Sequence, residues 1–128
     1  MVKNIEFRAT LDRKGQRLLR VLVNLLAQAI PGKPQTYISY KEVHKRLGLQ
    51  LQGATYGISL QRQGLTPLTE WTKRANKPAI TGLIVTESGL MPGEGFFPAF
   101  GKNNNNFRWW EEQIRLAKEH DWSPYLAG

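Results

Sequence analysis

The sequence contains no cysteine. That excludes a disulfide framework, a thiolate zinc site and a cysteine nucleophile, and it fits a chain that works in the reducing cytoplasm. Histidine is scarce too. His44 and His120 are the only two, and neither has a partner at the spacing of a metal site or a catalytic triad. Carboxylates are few, ten against 18 Lys and Arg, and too scattered to form a paired acid–base or nuclease centre. The chain lacks a GxxxxGK[ST] phosphate loop. Its GLMPGEG stretch at 89–95 opens no strand–loop–helix unit and is no dinucleotide fingerprint. No apolar run approaches a membrane span, the opening MVKNIEFRATLDRKG has no apolar signal core, and no segment repeats. These absences point to a binding protein with no cofactor, no metal and no membrane partner, not to an enzyme.

What the chain does have is positive charge, unevenly placed. Of its 128 residues, 41% are apolar and 22% charged, which suits one globular domain with a real core. The formal net charge is +8. Residues 1–79 hold 14 Lys/Arg against 4 Asp/Glu, a net +10, and residues 80–128 hold 4 against 6, a net −2. Segregated basic charge of this kind suits a polyanion, most often nucleic acid. The plainer alternative is a solvated basic face.

Residues 1–9 read as an extended arm, with Ile5–Phe7 as a short strand. A helix capped by Thr10 or Asp12 follows and runs to about Ile30. Leu18, Leu22, Leu25 and Leu26 keep helical spacing on its inner face, with Leu11, Leu19, Val21, Val23 and Ile30 widening it. Arg13, Lys14, Arg17 and Arg20 gather on the other side. PGKP at 31–34 stops the helix. After a brief strand at Tyr37–Ile38, Ser39 and Glu42 form an S-x-x-E capping box. It opens a short helix with Val43 and Leu47 inward, Lys41, Lys45 and Arg46 outward, and Gly48 as its left-handed terminator.

Residues 49–52 make a turn. A second helix is expected over Ala54–Gln63, with Tyr56 (or Ile58) and Leu60 inward and Thr55, Ser59, Gln61, Arg62 and Gln63 outward. Gly57 costs that helix about 1 kcal/mol relative to alanine, a cost easier to explain if something approaches the backbone closely. Thr66 as N-cap and Pro67 at the first position open a third segment anchored by Leu68 and Trp71, with Lys73, Arg74 and Lys77 exposed. Ile80–Thr86 and LMPGEGFF, joined by Glu87-Ser88-Gly89, read as a β-hairpin with Pro92 at an edge. GKNNNN at 101–106 is a mobile polar loop. Asn106 caps a last helix with a Phe107, Trp110, Ile114, Ala117 stripe and a Glu111–Arg115 pair, and 121–128 is a tail with Trp122 and Tyr125 against the core.

The fold these features predict is α+β and winged-helix-like: a helix-turn-helix, a hairpin wing, and a packing helix at each end of a single domain over 1–128. The major groove of DNA admits one helix, and Arg, Gln, Ser and Thr read base edges. The expected groove residues are therefore Thr55, Ser59, Gln61, Arg62 and Gln63, and the expected phosphate contacts are Lys41, Lys45, Arg46, Lys73, Arg74 and Lys77. The wing carries Glu87 and Glu94, unfavourable beside phosphates, so it is not the main contact. Its glycines could instead shape a small pocket with Phe96, Phe97, Tyr56 or Trp71, although plain core is the simpler role for those rings. The partner is double-stranded DNA on this reading. The alternative is a small phage- or plasmid-type protein-interaction module that inhibits a host enzyme through its basic face. Sensing of modified or damaged DNA is a finer form of the first reading, and a third reading is a detached accessory domain of a restriction system that senses modified DNA.

Over residues 36–97 the order of features resembles the winged-helix DNA-binding domain of alkylguanine alkyltransferases and alkyltransferase-like proteins. Tyr40, Val43, Leu47 and Gly48 match the first helix of that domain. Ala54, Gly57 and Leu60 lie near its recognition helix, and Pro78, Val85, Gly89, Gly93 and Gly95 are similar to the segment that follows. The family's Cys-His-Arg-Val core is absent: this chain reads Pro78-Ala79-Ile80-Thr81-Gly82. Without a cysteine there is no alkyl transfer. What the resemblance implies is a winged-helix fold and DNA binding.

Overall fold

The computed structural model describes residues 11–126. The expected arm at 1–9, a cap at Thr10, and the last two residues of the tail lie outside them. In chain order the elements are α1 (Arg13–Leu25), a 3-10 turn (Pro34–Thr36), β1 (Ile38–Ser39), α2 (Tyr40–Leu47) and α3 (Tyr56–Leu60). A wide turn (Gln61–Leu65) leads into α4 (Thr66–Arg74). A 3-10 turn (Ile80–Leu83), β2 (Ile84–Val85), α5 (Phe96–Ala99) and α6 (Phe107–Glu119) complete the chain before a last 3-10 turn (Ser123–Tyr125). The architecture is mixed helical with one small two-stranded sheet, of the α+β kind.

The Asp12 carboxylate starts α1 by accepting from the Gly15 N–H at 2.7 Å. Leu18, Leu19, Leu22 and Leu25 are buried to 2% exposure or less, each contributing about 1.5–3 kcal/mol by leaving water. The helix ends at Leu25, short of Ile30, which lies 45% exposed. Two carbonyls just past its end are met from outside: Lys118 of α6 donates to Leu26 O at 2.7 Å and Ala29 O at 2.6 Å. In α6, Asn106 caps by accepting from Trp109 N at 3.2 Å, and Trp110, Ile114 and Ala117 form the buried stripe. Phe107, expected in that stripe, is half exposed. Arg115 pairs with Glu112 and Glu119, not with Glu111.

The expected wing is not formed. Ile84 and Val85 pair in parallel with Ile38 and Ser39, far back in the chain, and α2, α3 and α4 lie in the crossover between them. The return strand fails for local reasons. Leu90 takes a positive φ of 53°, and the 86–91 loop closes on itself through Leu90 N→Thr86 O at 3.0 Å and Thr86 N→Met91 O at 2.8 Å. Beyond it the chain enters α5 instead of a ladder. Gly82 shows how tightly this region packs. A Cβ there would lie 2.8 Å from Phe96 and 2.9 Å from the Trp110 ring nitrogen, which donates to Gly82 O at 2.8 Å.

Gly64 lets the wide turn pack directly against α1. Its φ of +140° bends the chain between α3 and α4, and a Cβ would meet Lys14 O of α1 at 2.9 Å. Thr66, expected as a cap, is already inside α4. Leu65 holds the cap position without a side-chain bond.

Candidate nucleic-acid interface

The sheet delivers α2 to the surface in one step. Ser39, the last residue of β1, is also the N-cap of α2: its hydroxyl accepts from Glu42 N at 3.0 Å. Gly48 ends the helix at φ 65°, with its own N–H and that of Leu49 closing on the last turn. Val43 is fully buried, which fixes the rotation of the helix and sends Lys41, Lys45 and Arg46 outward. Glu42 partly neutralises Arg46 at 3.2 Å. Lys41 and Lys45 have no ion pair among the described residues.

α3 is turned around relative to the expectation. Ser59 and Gln63 are buried, while Tyr56 and Ile58 are more than a third exposed. The polar pair faces in because the 50–52 loop needs partners for its backbone. Ser59 Oγ accepts from Gln52 N at 2.7 Å, and Gln63 Nε2 donates to Gln50 O at 2.9 Å and to Ser59 Oγ at 3.0 Å. An unmet buried N–H or C=O costs about 1–3 kcal/mol, enough to decide the orientation of so short a helix. Ser59 and Gln63 therefore cannot face a groove. Thr55 is exposed, but its hydroxyl caps α3 by accepting from Ile58 N at 3.0 Å. Of the five expected groove residues, Gln61 and Arg62 keep exposed side chains with no hydrogen bond among the described residues.

Beside them lie three exposed apolar residues, Leu51, Tyr56 and Ile58. Gly53, at φ +105°, packs against Ile58 so closely that a Cβ would come within 2.9 Å of it. Gly57 differs. A Cβ there would meet nothing nearer than 3.8 Å, so nothing within the described protein requires glycine at that position.

A cleft of about 450 Å³ runs between α2 and the start of α3, lined by Lys41, Lys45, His44, Tyr56 and Glu87 among others. His44 is buried edge-on to the Tyr56 ring at 5.0 Å, its ring nitrogens without a hydrogen-bond partner. Burial pushes its pKa below the ordinary 6.5. Glu42, already paired with Arg46, and Glu87 bring two carboxylates to the same cleft.

The α4 cations belong to a different neighbourhood. Lys73 is 4.0 Å from Glu70, Arg74 is exposed, and Lys77 stands 4.9 Å over the Tyr125 ring of the tail. Tyr125 also stacks on His120, whose pKa is lowered by burial and then by Lys77. The six expected phosphate residues thus form two groups, one on α2 and one at the end of α4 beside the C-terminal turn.

A smaller pocket of about 160 Å³ opens between the start of α2, the wide turn and α5. Tyr40, Gln61, Glu70, Thr81 and Phe96 line it. The Tyr40 hydroxyl accepts from Gly93 N at 2.8 Å, and burial raises its pKa. The Thr81 hydroxyl is buried with no partner. Of the rings expected around a pocket here, Phe96 contributes and Phe97, Tyr56 and Trp71 do not. Tyr40 and Thr81 were not singled out for it from the sequence, because only the β1–β2 pairing brings residues 40 and 81 together. Among the described residues no three His, Asp or Glu side chains are grouped to hold a metal ion, and no helix is long and apolar enough to cross a membrane.

Compared with protein-family models, curated proteins and solved structures, the chain matches none of them.

Proposed function

We propose that this is a non-catalytic DNA-binding domain of the helix-turn-helix kind, which lays the outer face of α2 and the exposed edge of α3 along a duplex. The reading rests on one observation above the others: Lys41 and Lys45 stand outward on α2 without an ion pair among the described residues, beside an α3 whose Gly57 no internal packing demands, since a Cβ there would make only ordinary contacts at 3.8–3.9 Å with Thr55 and Tyr40. Close backbone approach to a partner is a standard use of glycine. Arg46 and Arg62 complete the cationic rim, with Gln61 reaching base edges and Leu51 and Ile58 contacting sugar or base faces. The α4 group, Lys73, Arg74 and Lys77, contributes less. Binding suits the two histidines better than catalysis does, since each is packed against aromatic rings.

Sensing of modified or damaged bases is a finer form of the same reading. It is favoured by the pocket holding the unpartnered Thr81 hydroxyl beside Tyr40 and Glu70. The rival reading, a module that docks on an acidic host protein, is favoured by the exposed Leu51, Tyr56 and Ile58.

Titration against plain and base-modified duplex at two salt concentrations tests the proposal. With about four phosphates neutralised, log K falls against log salt with a slope of about −3.6. No affinity for any duplex at low salt, together with co-purification of a nuclease-resistant protein partner, overturns it in favour of the rival.

A further inference from the structure

The arginines of α1 form a second cluster of positive charge, apart from the one on α2. Arg13, Arg17 and Arg20 stand at i, i+4 and i+7, on one face of the helix. They line a cleft of about 280 Å³ together with Gln16, Tyr125 and Leu126. That lies just below the roughly 300–1,000 Å³ of ordinary ligand pockets: room for an anion and its water. Among the described residues no acid lines it, and none of the three arginines has an ion pair. Asp12, the nearest acid in sequence, has Oδ1 engaged by the Gly15 N–H.

Two of the three side chains are already held in place. Arg17 donates to Leu47 O at 3.2 Å, and Arg20 donates to Leu126 O. Each guanidinium has five N–H donors, so donors remain for a ligand. Like charges gathered without an acid repel one another, and an anion would relieve that repulsion. Guanidiniums match the geometry of phosphate oxygens better than a point charge does.

We infer that this cleft is a phosphate-binding site, separate from the cleft beside α2 and independent of the duplex reading given to that cleft. Arg13, Arg17 and Arg20 supply the contacts, and Leu47 O and Leu126 O orient two of them. The phosphate has two possible sources. Arg17 touches the last residue of α2, so a backbone phosphate of a duplex lying on α2 is one. A free or terminal phosphate group is the other.

The test uses the full chain. The arginine side-chain Nε–Hε signals are followed by NMR as inorganic phosphate is added, with chloride at matched ionic strength as control. Saturable shifts of Arg13, Arg17 and Arg20, specific to phosphate, are expected. Arg13→Gln, which disturbs no main-chain tether among the described residues, should weaken phosphate binding about tenfold. In parallel, the salt dependence of duplex binding is compared between the native chain and the Arg13→Gln/Arg20→Gln double variant. A slope shallower by about 2 assigns the site to the duplex backbone. An unchanged slope with saturable phosphate binding assigns it to a free or terminal phosphate. Absence of any phosphate-specific response, whatever the duplex result, overturns the site. Failure of duplex binding with the phosphate response intact counts against the α2 surface alone.

Discussion

The two short helices α2 and α3 are neighbours in sequence, yet they are built on opposite logic. α2 buries Val43 together with one polar ring, His44, and has a cationic outside. α3 places Ser59 inside next to Leu60, with Gln63 of the following turn beside it, and leaves Tyr56 and Ile58 outside. The difference lies in what each must satisfy. α2 has its own cap in Ser39 and its own stop in Gly48, so its rotation is left to the burial of Val43 and the His44 ring. α3 is only five residues long and borders the 50–52 loop, whose N–H and C=O groups have to find partners on leaving water. In so short an element, unmet hydrogen bonds outweigh one or two exposed apolar side chains, which cost little at a surface.

That contrast can be broken at several points. The largest effect is expected where α3 ends. Gly64→Ala puts a side chain at φ +140° and against Lys14 O, and should cost about 3 kcal/mol or more, read from urea unfolding midpoints. Next comes the inverted interior. Ser59→Ala removes the acceptor for both Gln52 N and Gln63 Nε2 and should cost about 2 kcal/mol, while Ile58→Ser on the outer edge should stay within about 0.5 kcal/mol of the native chain. The reverse ranking would mean that Ile58 is the inward residue. Thr55→Ala removes the α3 cap and should cost about 1 kcal/mol by the same denaturation assay.

The smallest effect concerns the contact between the two helices. His44 is held neutral by burial, with its folded pKa below 6.5. The unfolded chain therefore takes up the proton first. The stability this contributes is fully present above the unfolded pKa and is lost as pH falls through the folded one. Melting temperature should drop as pH falls from about 7, and His44→Phe, which keeps a ring against Tyr56, should flatten that drop in part. His120 is shifted the same way and should account for the remainder. A drop unchanged in His44→Phe would show that His44 is not buried neutral.

The long elements were legible in the sequence for a simple reason. α1 and α6 span 13 residues each, so several turns of apolar periodicity agree on one face, and Asp12 and Asn106 mark their starts with side chains that accept N–H groups. The capping serine of α2 and its terminal glycine were equally readable. The errors fell on pieces shorter than two helical turns. The four residues after Gly95 carry too little pattern to separate a return strand from the turn of helix that forms α5. The parallel pairing of Ile38 with Ile84 has no local signature, since the loop between them does not specify it. Of the pocket beside Tyr40, the glycines and Phe96 were anticipated; Tyr40 and Thr81 were missed as a consequence, and the inward Ser59–Gln63 pair because burial of two polar side chains is visible only once their partners at 50 and 52 are in place.

The account stands on α2 as the surface that meets the polyanion. The most direct test is the salt dependence of duplex binding for Lys41→Gln/Lys45→Gln beside Lys73→Gln/Arg74→Gln. The predicted result is a slope shallower by about 2 for the α2 pair and a smaller change for the α4 pair. A native slope for the α2 pair, with the loss appearing in the α4 pair, would contradict it.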